Sequence, residues 1–241
     1  MQKTILERFI AKYNLGGAAE AVLWTTEKKE LSTRFISDDK NVLGIVSTSE
    51  ATFAPAGEYG VYETGGLSRL ISALTEDIKI SVNKNGTKAQ SLTVRDAANE
   101  ATFVIADPSV IPSVPDLKAL PDFDLNLTLT PEFMTTFVRG KNALPDVETF
   151  TVMQQDGKTQ IVIGYSPTVN TNRFSLSVEA GEGETLDRPL NFSARYMKEI
   201  LAANKEARGG TISISSKGLA HVTFDIDGFA VDYYLVEIQT S

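Results

Sequence analysis

The 241-residue chain is 42% hydrophobic and 22% charged, a composition of folded globular proteins that excludes a disordered or fibrous chain. Its 31 acidic side chains outnumber the 23 basic ones, for a formal charge of −8, so a surface that coats DNA or a membrane by overall charge is excluded and any nucleic-acid role must rest on charge distribution. The absence of cysteine rules out disulfides, thiol nucleophiles and thiolate metal sites, and a single histidine, His221, rules out multi-histidine metal sites within one chain.

Met1 to Arg8 holds a lysine but no uninterrupted apolar stretch or small-residue cleavage site, so no secretory signal is expected. No apolar run approaches the roughly 18 to 20 residues that cross a bilayer, so no membrane partner is expected either. In residues 3 to 13, Ile5, Leu6, Phe9, Ile10 and Tyr13 form one apolar stripe at helical period, stopped by Gly16-Gly17. Strands are predicted at Glu20 to Trp24, Leu31 to Ile36 and Val42 to Ser47 from their alternation. A second helix is predicted over 64 to 74, with Thr64 as cap and Leu67, Leu70, Ile71 and Leu74 inward. Strands Ile78 to Val82, Ser91 to Arg95 and Ala101 to Ile105 follow, the first two separated by the turn signal Lys84-Asn85-Gly86.

From Asp107 to Asp124 the chain carries Pro108, Pro112, Pro115 and Pro121, which remove backbone donors and favour extended conformations. The expectation is an N-terminal domain over 1–110, a linker over 111–123 and a C-terminal domain over 124–241. Beyond the linker come a strand at Asp124 to Leu129 and a helix over 131 to 141, capped by Thr130 with Pro131 at its first position and Phe133, Met134, Phe137 and Val138 inward. Then come strands at Thr149 to Met153, Gln160 to Gly164 and Phe174 to Val178, with a hairpin turn at Gln155-Asp156-Gly157-Lys158. The last helix, 194 to 206, is capped by Ser193, buries Tyr196, Met197, Ile200 and Leu201, and is expected to end by Gly209-Gly210. Strands Thr211 to Ser215, His221 to Ile226 and Phe229 to Ile238 close the chain, with a turn at Asp227-Gly228. The helices begin at 3, 64, 131 and 194, and this even spacing implies a diverged architectural repeat.

The four helical windows hold nine basic side chains against four acidic ones, while the rest of the chain holds 14 basic and 27 acidic. An acidic protein thus concentrates its positive charge on its helices. Charged outer faces are ordinary for helices, but if all four lie on one side of the sheets they make one positive surface. Such a surface attracts a duplex without reading it, because phosphate contacts carry no base information.

Other constellations are weaker. His221 has no second histidine and reads as a structural strand residue rather than part of a triad. Asp225 and Asp227 lie two apart, but Asp227-Gly228 is a better turn than a metal site. Gly140-Lys141 lacks the rest of a phosphate loop, and Gly181-Glu182-Gly183-Glu184 is an acidic loop that repels phosphate. Trp24 and the tyrosines are scattered and form no stacking platform. No cofactor, metal or catalytic residue is expected.

Three stretches carry a resemblance along nearly the whole chain. Ser193-Ala194-Arg195-Tyr196-Met197-Lys198 with the ending Val231-Asp232-Tyr233-Tyr234-Leu235-Val236 resembles the last helix and C-terminal strand of proliferating cell nuclear antigen. The segment Val61 to Leu74, and Asp124 to Gly164, resemble the tailed-phage DNA polymerase processivity clamp. The resemblance implies the DNA clamp fold: α+β, two similar clamp domains, each with sheets outside and two short helices on one face. It implies a homotrimeric ring around duplex DNA that serves a replicative DNA polymerase and is placed by a clamp loader, in the cytoplasm, or the host cytoplasm if viral. The DNA-facing residues are then Lys3, Arg8, Lys12, Arg69, Arg139, Lys141, Arg195, Lys198, Lys205 and Arg208. A partner groove under the linker falls on Val42, Leu43, Leu117, Leu120, Pro121, Tyr234, Leu235 and Val236; the apolar linker residues equally suit stapling the linker to its own domain. Subunit contacts fall on Ala101, Phe103 and Ile105 of one chain and Phe174, Leu176 and Val178 of the next. Two rivals stand beside the clamp: a phage structural or tail-associated β-rich oligomer, and a monomeric clamp-fold processivity factor.

Overall fold

A computed structural model describes residues 1–27, 29–117, 119–155, 158–180 and 185–239. The first block of the chain runs α1 (Lys3–Asn14), β1 (Val22–Glu27), β2 (Glu30–Ile36), β3 (Val42–Thr48), β4 (Gly57–Val61), α2 (Thr64–Ser72), β5 (Lys79–Asn85), β6 (Lys88–Arg95) and β7 (Glu100–Val104). After the prolines comes β8 (Leu125–Leu129), and the same order then returns as α3 (Pro131–Ala143), β9 (Thr149–Gln155), β10 (Lys158–Ile163), β11 (Phe174–Val178), β12 (Leu190–Ser193), α4 (Ala194–Ala203), β13 (Gly209–Ser215), β14 (Leu219–Asp225) and β15 (Phe229–Val236). The even helix spacing is therefore an architectural repeat, element for element.

The chain forms two compact units. One consists of Met1–Asp38, Gly44–Pro115 and Gly228–Val231, the other of Asp39–Leu43, Asp116–Asp227 and Asp232–Ser241.

In the first unit β4-β1-β2-β3 make one antiparallel sheet order, with Trp24 opposite both Thr33 and Tyr59, and β5-β6-β7 make another, with Val94 opposite Ala101. Helix α1 packs on β2 and on α2, and α2 packs on β7. Leu6, Phe9, Ile10 and Tyr13 are buried, as the period predicts, and Phe9 meets Trp24 edge to face at 5.6 Å. The helix stops where Leu15, Gly16 and Gly17 take φ of 45°, 68° and 96°, a left-handed run that two glycines make cheap. Helix α2 is shorter than predicted, and Thr64 lies inside it, buried. Its hydroxyl meets the buried Tyr13 hydroxyl at 3.2 Å, and the Glu20 carboxylate accepts the Gly65 N–H at 2.8 Å at the helix start.

In the second unit the orders are β15-β14-β13-β8 and β11-β10-β9-β12. Helix α3 starts as its signal predicts, with Thr130 Oγ1 accepting the Phe133 N–H at 3.1 Å and Pro131 in the first turn. Ser193 caps α4 by accepting the Tyr196 N–H at 3.2 Å. The helices pack on each other, α3 on β11 and α4 on β9, over a core in which Phe137, Phe150 and Phe192 follow one another at 5.4 and 5.7 Å. The Tyr233 hydroxyl, buried at the end of α4, accepts from Asn204 Nδ2 at 3.0 Å, and burial pushes its pKa up.

Several expected elements are corrected by the structure. Helix α4 ends at Ala203, and Gly209-Gly210 instead opens β13, where a Cβ on Gly210 would lie 2.3 Å from the Thr223 carbonyl. Strands β4 and β12 carry no predictive alternation because β4 is glycine-rich and β12 has four residues; each occupies the same place in its block. The Asp156-Gly157 turn and the Gly181-Glu182-Gly183-Glu184 loop lie outside the described residues, although the strands flanking the former pair Gln155 with Lys158.

A Cβ on Gly140 would stand 2.3 Å from the Phe174 ring, so this mid-helix glycine is what lets α3 approach β11. Gly140→Ala, which raises helix propensity, is expected to destabilise the protein by about 1–3 kcal/mol through overpacking, measured by urea unfolding.

Candidate nucleic-acid interface

Packing of an apolar stripe onto a sheet turns the opposite helix face to water, and that face carries the exposed cations. In the first unit Arg69 of α2 is exposed beside Glu63 at 3.4 Å. Lys3 and Arg8 of α1 are half-buried: Lys3 Nζ donates to the Leu74 carbonyl at 2.8 Å and pairs with Glu7, while the Arg8 guanidinium lies 4.6 Å from the Phe229 ring centre. In the second unit Arg139, Arg195 and Lys205 are exposed, Arg195 lying over the Tyr196 ring at 5.2 Å, and Lys198 is half-buried beside Glu199 at 3.3 Å.

Three members of the expected DNA-facing set are held elsewhere. Lys12 is buried with its ammonium 5.1 Å from the Phe229 ring centre, sharing that ring with Arg8. Lys141 is buried and donates to the carbonyls of Leu144 and Pro145 at 3.3 and 2.9 Å, satisfying acceptors past the end of α3. Arg208 is exposed but gripped by Asp225 and Asp227, with four hydrogen bonds of 2.9 to 3.1 Å. Hydrogen bonds from Arg208 hold the Asp225 carboxyl below the usual carboxylate range. Long stems explain the first two: an ammonium can fold back over its own helix while the position still reads as polar.

The groove candidates also divide. Val42, Leu43, Tyr234 and Leu235 are buried, whereas Leu117, Leu120 and Val236 are 38%, 41% and 46% exposed and Pro121 is intermediate. All eight belong to the second unit. Along β15 the side chains alternate, so Tyr233 and Leu235 face the helices while Asp232, Tyr234 and Val236 share the other face. There the Tyr234 ring stacks on His221 at 4.5 Å with a 3° tilt, Phe123 lies 5.9 Å beyond His221, and His221 Nε2 and Asp232 Oδ1 are 2.8 Å apart. Sequence reasoning places neither Phe123 nor His221 in this cluster. The period-2 alternation of β14 and β15 signals that His221 and Tyr234 share a face, since they are register partners.

Strands β7 and β11, expected at subunit contacts, are edge strands of their sheets. Phe103 and Leu176 of these strands, and Ile105 just past β7, are nevertheless buried. The outward side chains of β7 are Glu100, Thr102 and Val104, the last 75% exposed.

No family model matches the sequence, and no curated protein matches it. Solved structures do. Over 100% of this chain and 98% of that one, it is similar to A. fulgidus PCNA, solved with the C-terminal region of FEN-1, at 16% identity and a TM-score of 0.76. It is similar to proliferating cellular nuclear antigen of Entamoeba histolytica over 99% and 96% of the two chains, at 13% identity and 0.74. A structure of the PCNA2–PCNA3 complex of Sulfolobus tokodaii matches at 13% identity and 0.71, over 96% of each chain. The fold is that of the sliding clamps, α+β with two similar clamp domains. Within that class it is of the proliferating cell nuclear antigen type. Among the described residues no helix is long and apolar enough to cross a membrane.

Since the folded-state pKa of Asp225 is depressed, the stability it contributes is full above the ordinary carboxylate range and is lost as pH falls through the lowered value. Asp225→Asn is expected to flatten the acid side of the stability curve below about pH 4, read as the change of Tm with pH.

Proposed function

We propose that the protein is a DNA sliding clamp: a homotrimer whose two-domain chains, with domains at 1–110 and 124–241 joined by the linker 111–123, close a ring of six like domains around duplex DNA. It is a non-enzymatic processivity factor that tethers a replicative DNA polymerase and is placed on DNA by a clamp loader, in the cytoplasm of the cell or of a phage host. The observation that carries this reading is the clamp fold over the full chain, together with exposed cations on helices from both blocks, Arg69, Arg139 and Arg195, and Lys205 just past α4, in a chain of net charge −8.

The physics is economical. A ring holds DNA by enclosure, so its interactions with phosphate need only be weak and exchangeable, which permits sliding. An acidic remainder disfavours DNA on other surfaces. Polymerase and loader tails would dock on the exposed Leu117, Leu120 and Val236 of the second unit.

Primer extension on a circular template, with and without the protein, tests the tether: longer products are expected with it, and a linear template with free ends is expected to lose the gain. Arg69→Ala, Arg139→Ala and Arg195→Ala combined should shorten products while leaving assembly intact by light scattering. Each arginine–phosphate pair removed should flatten the salt dependence by roughly 0.9 log units. Unchanged processivity in this variant removes the helix faces from the DNA surface.

Leu117→Asp with Leu120→Asp is expected to weaken capture of the polymerase C-terminal tail by about tenfold or more without changing oligomeric state, read by calorimetric titration. Normal tail binding by the variant removes the docking surface.

A further inference from the structure

We propose that the outer edge of β5, in the first unit, is a docking edge for an extended acidic segment of a partner protein, apolar at alternate positions, which adds to the sheet as a further antiparallel strand. This inference goes beyond the clamp reading and does not depend on it, because it stands on the strands of one unit.

The repeat shows what covers such an edge. In the second unit β13 lies between β14 and β8, and its register with β8 sets Gly210 opposite Leu129, Ile212 opposite Leu127 and Ile214 opposite Leu125. In the first unit the strand at the same place is β5: Ile80 lies opposite Val94 of β6, as Ile212 lies opposite Val222 of β14. The start of its other side also matches. The Ile78 N–H donates to the Met1 carbonyl at 2.9 Å and the Met1 ammonium to the Ile78 carbonyl at 2.9 Å, so Met1 stands two residues before α1 as Leu129 stands two residues before α3. Past Ile78, β5 is the edge of its three-stranded sheet.

Alternation fixes what that edge offers. Since Ile78 bonds toward Met1, Lys79, Ser81 and Asn83 bond toward β6, and the N–H and C=O groups of Ile80 and Val82 point out of the sheet. The side chains agree. Ile212 and Ile214 are 1% and 0% exposed opposite the buried leucines of β8, whereas Ile80 and Val82 are half-buried. The face that carries Asn83 is closed by its own bonds, Asn83 Nδ2 donating to Ser91 Oγ at 2.9 Å and to Thr93 Oγ1 at 2.7 Å. What stays open is a backbone ladder with two half-covered aliphatic side chains, and a strand that completes it needs apolar residues two apart, as Leu125 and Leu127 are.

Charge selects the occupant. Lys79 and Lys84 are exposed along β5 and have no ion-pair partner among the described residues. The neighbouring cations are engaged, Lys88 with Asp107 at 3.3 Å and Arg95 with Glu100 at 2.5 Å, and Glu76 and Asp77 precede β5 at its Met1 end. A second copy that paired its own β5 here would bring lysine near lysine, whereas carboxylates interleaved with the apolar residues of an incoming strand are attracted.

The probe is the synthetic peptide Asp-Phe-Asp-Leu-Asn-Leu-Thr, capped at both ends, which has the sequence of residues 122–128 and so joins the alternating leucines of β8 to two carboxylates. In the full chain the Ile80 and Val82 amides are expected to exchange fast without peptide and to be protected at saturation, read by hydrogen exchange. N-methylation of both peptide leucines, whose N–H groups would face β5, should weaken binding about tenfold or more, and N-methylation of the asparagine should not. Val82→Pro removes an outward N–H that an edge strand can spare, so it should abolish binding and leave a cooperative thermal transition. Lys79→Glu with Lys84→Glu should weaken binding several-fold. Absence of protection at Ile80 and Val82, or binding indifferent to leucine N-methylation, overturns the proposal, and the peptide arms need no change to the protein. Protection without peptide overturns it too: rising with protein concentration, it assigns the edge to a second copy, and constant, to the chain itself.

Discussion

The structure depends on a single constraint: each short helix must bury an apolar stripe against a sheet while its charges stay hydrated. Leu6, Phe9, Ile10 and Tyr13 of α1, and Tyr196, Met197, Ile200 and Leu201 of α4, are all buried. That arrangement leaves Arg69, Arg139 and Arg195 in water with no choice of face. The exposure of these cations therefore follows from packing within each unit. The buried hydroxyls come with the same arrangement and are satisfied locally, Tyr13 against Thr64 and Tyr233 against Asn204.

Cations near the packed stripe obey a different balance. Lys12 and Lys141 belong to helices whose polar faces point outward, yet each ammonium is tucked in, one over the Phe229 ring and one onto the carbonyls that follow α3. A buried ammonium persists only where acceptors and π electrons replace its water. Arg208 loses its availability in the opposite way, by exposed pairing with two carboxylates of one hairpin. Charge counting by element therefore overstates the surface on offer to a phosphate backbone.

Edges impose the complementary demand. Antiparallel sheets end in rows of unpaired backbone groups, and here β7 and β11 present them. Phe103 and Leu176 of these strands, and Ile105 just past β7, are buried, while main-chain groups and side chains such as Val104 stay outside. The outer face of β14 and β15 shows another solution: His221 and Tyr234 stack and Phe123 lies beside them, while Val236 remains half-open.

Local chemistry alone determined much of this. Thr130-Pro131 and Ser193 announced their helix starts because a cap oxygen and a fixed φ act within one turn. Alternation found most strands, Gly16-Gly17 marked a helix end, and the spacing of four helices exposed the repeat. Only the tertiary structure decided the rest. β4 and β12 are strands because β1 and β9 lie beside them, and neither Gly-Glu-Tyr-Gly-Val nor four residues declares it. Gly140 lies in a helix because Phe174 needs the room. Burial of Tyr234, withdrawal of Lys12 and Lys141 from the surface, and the pairing of the exposed Arg208 with Asp225 and Asp227 depend on groups that the local pattern does not name. A periodic pattern tells which face a side chain takes, but what covers that face, or pairs with it, is set by strands and loops that only folding brings near.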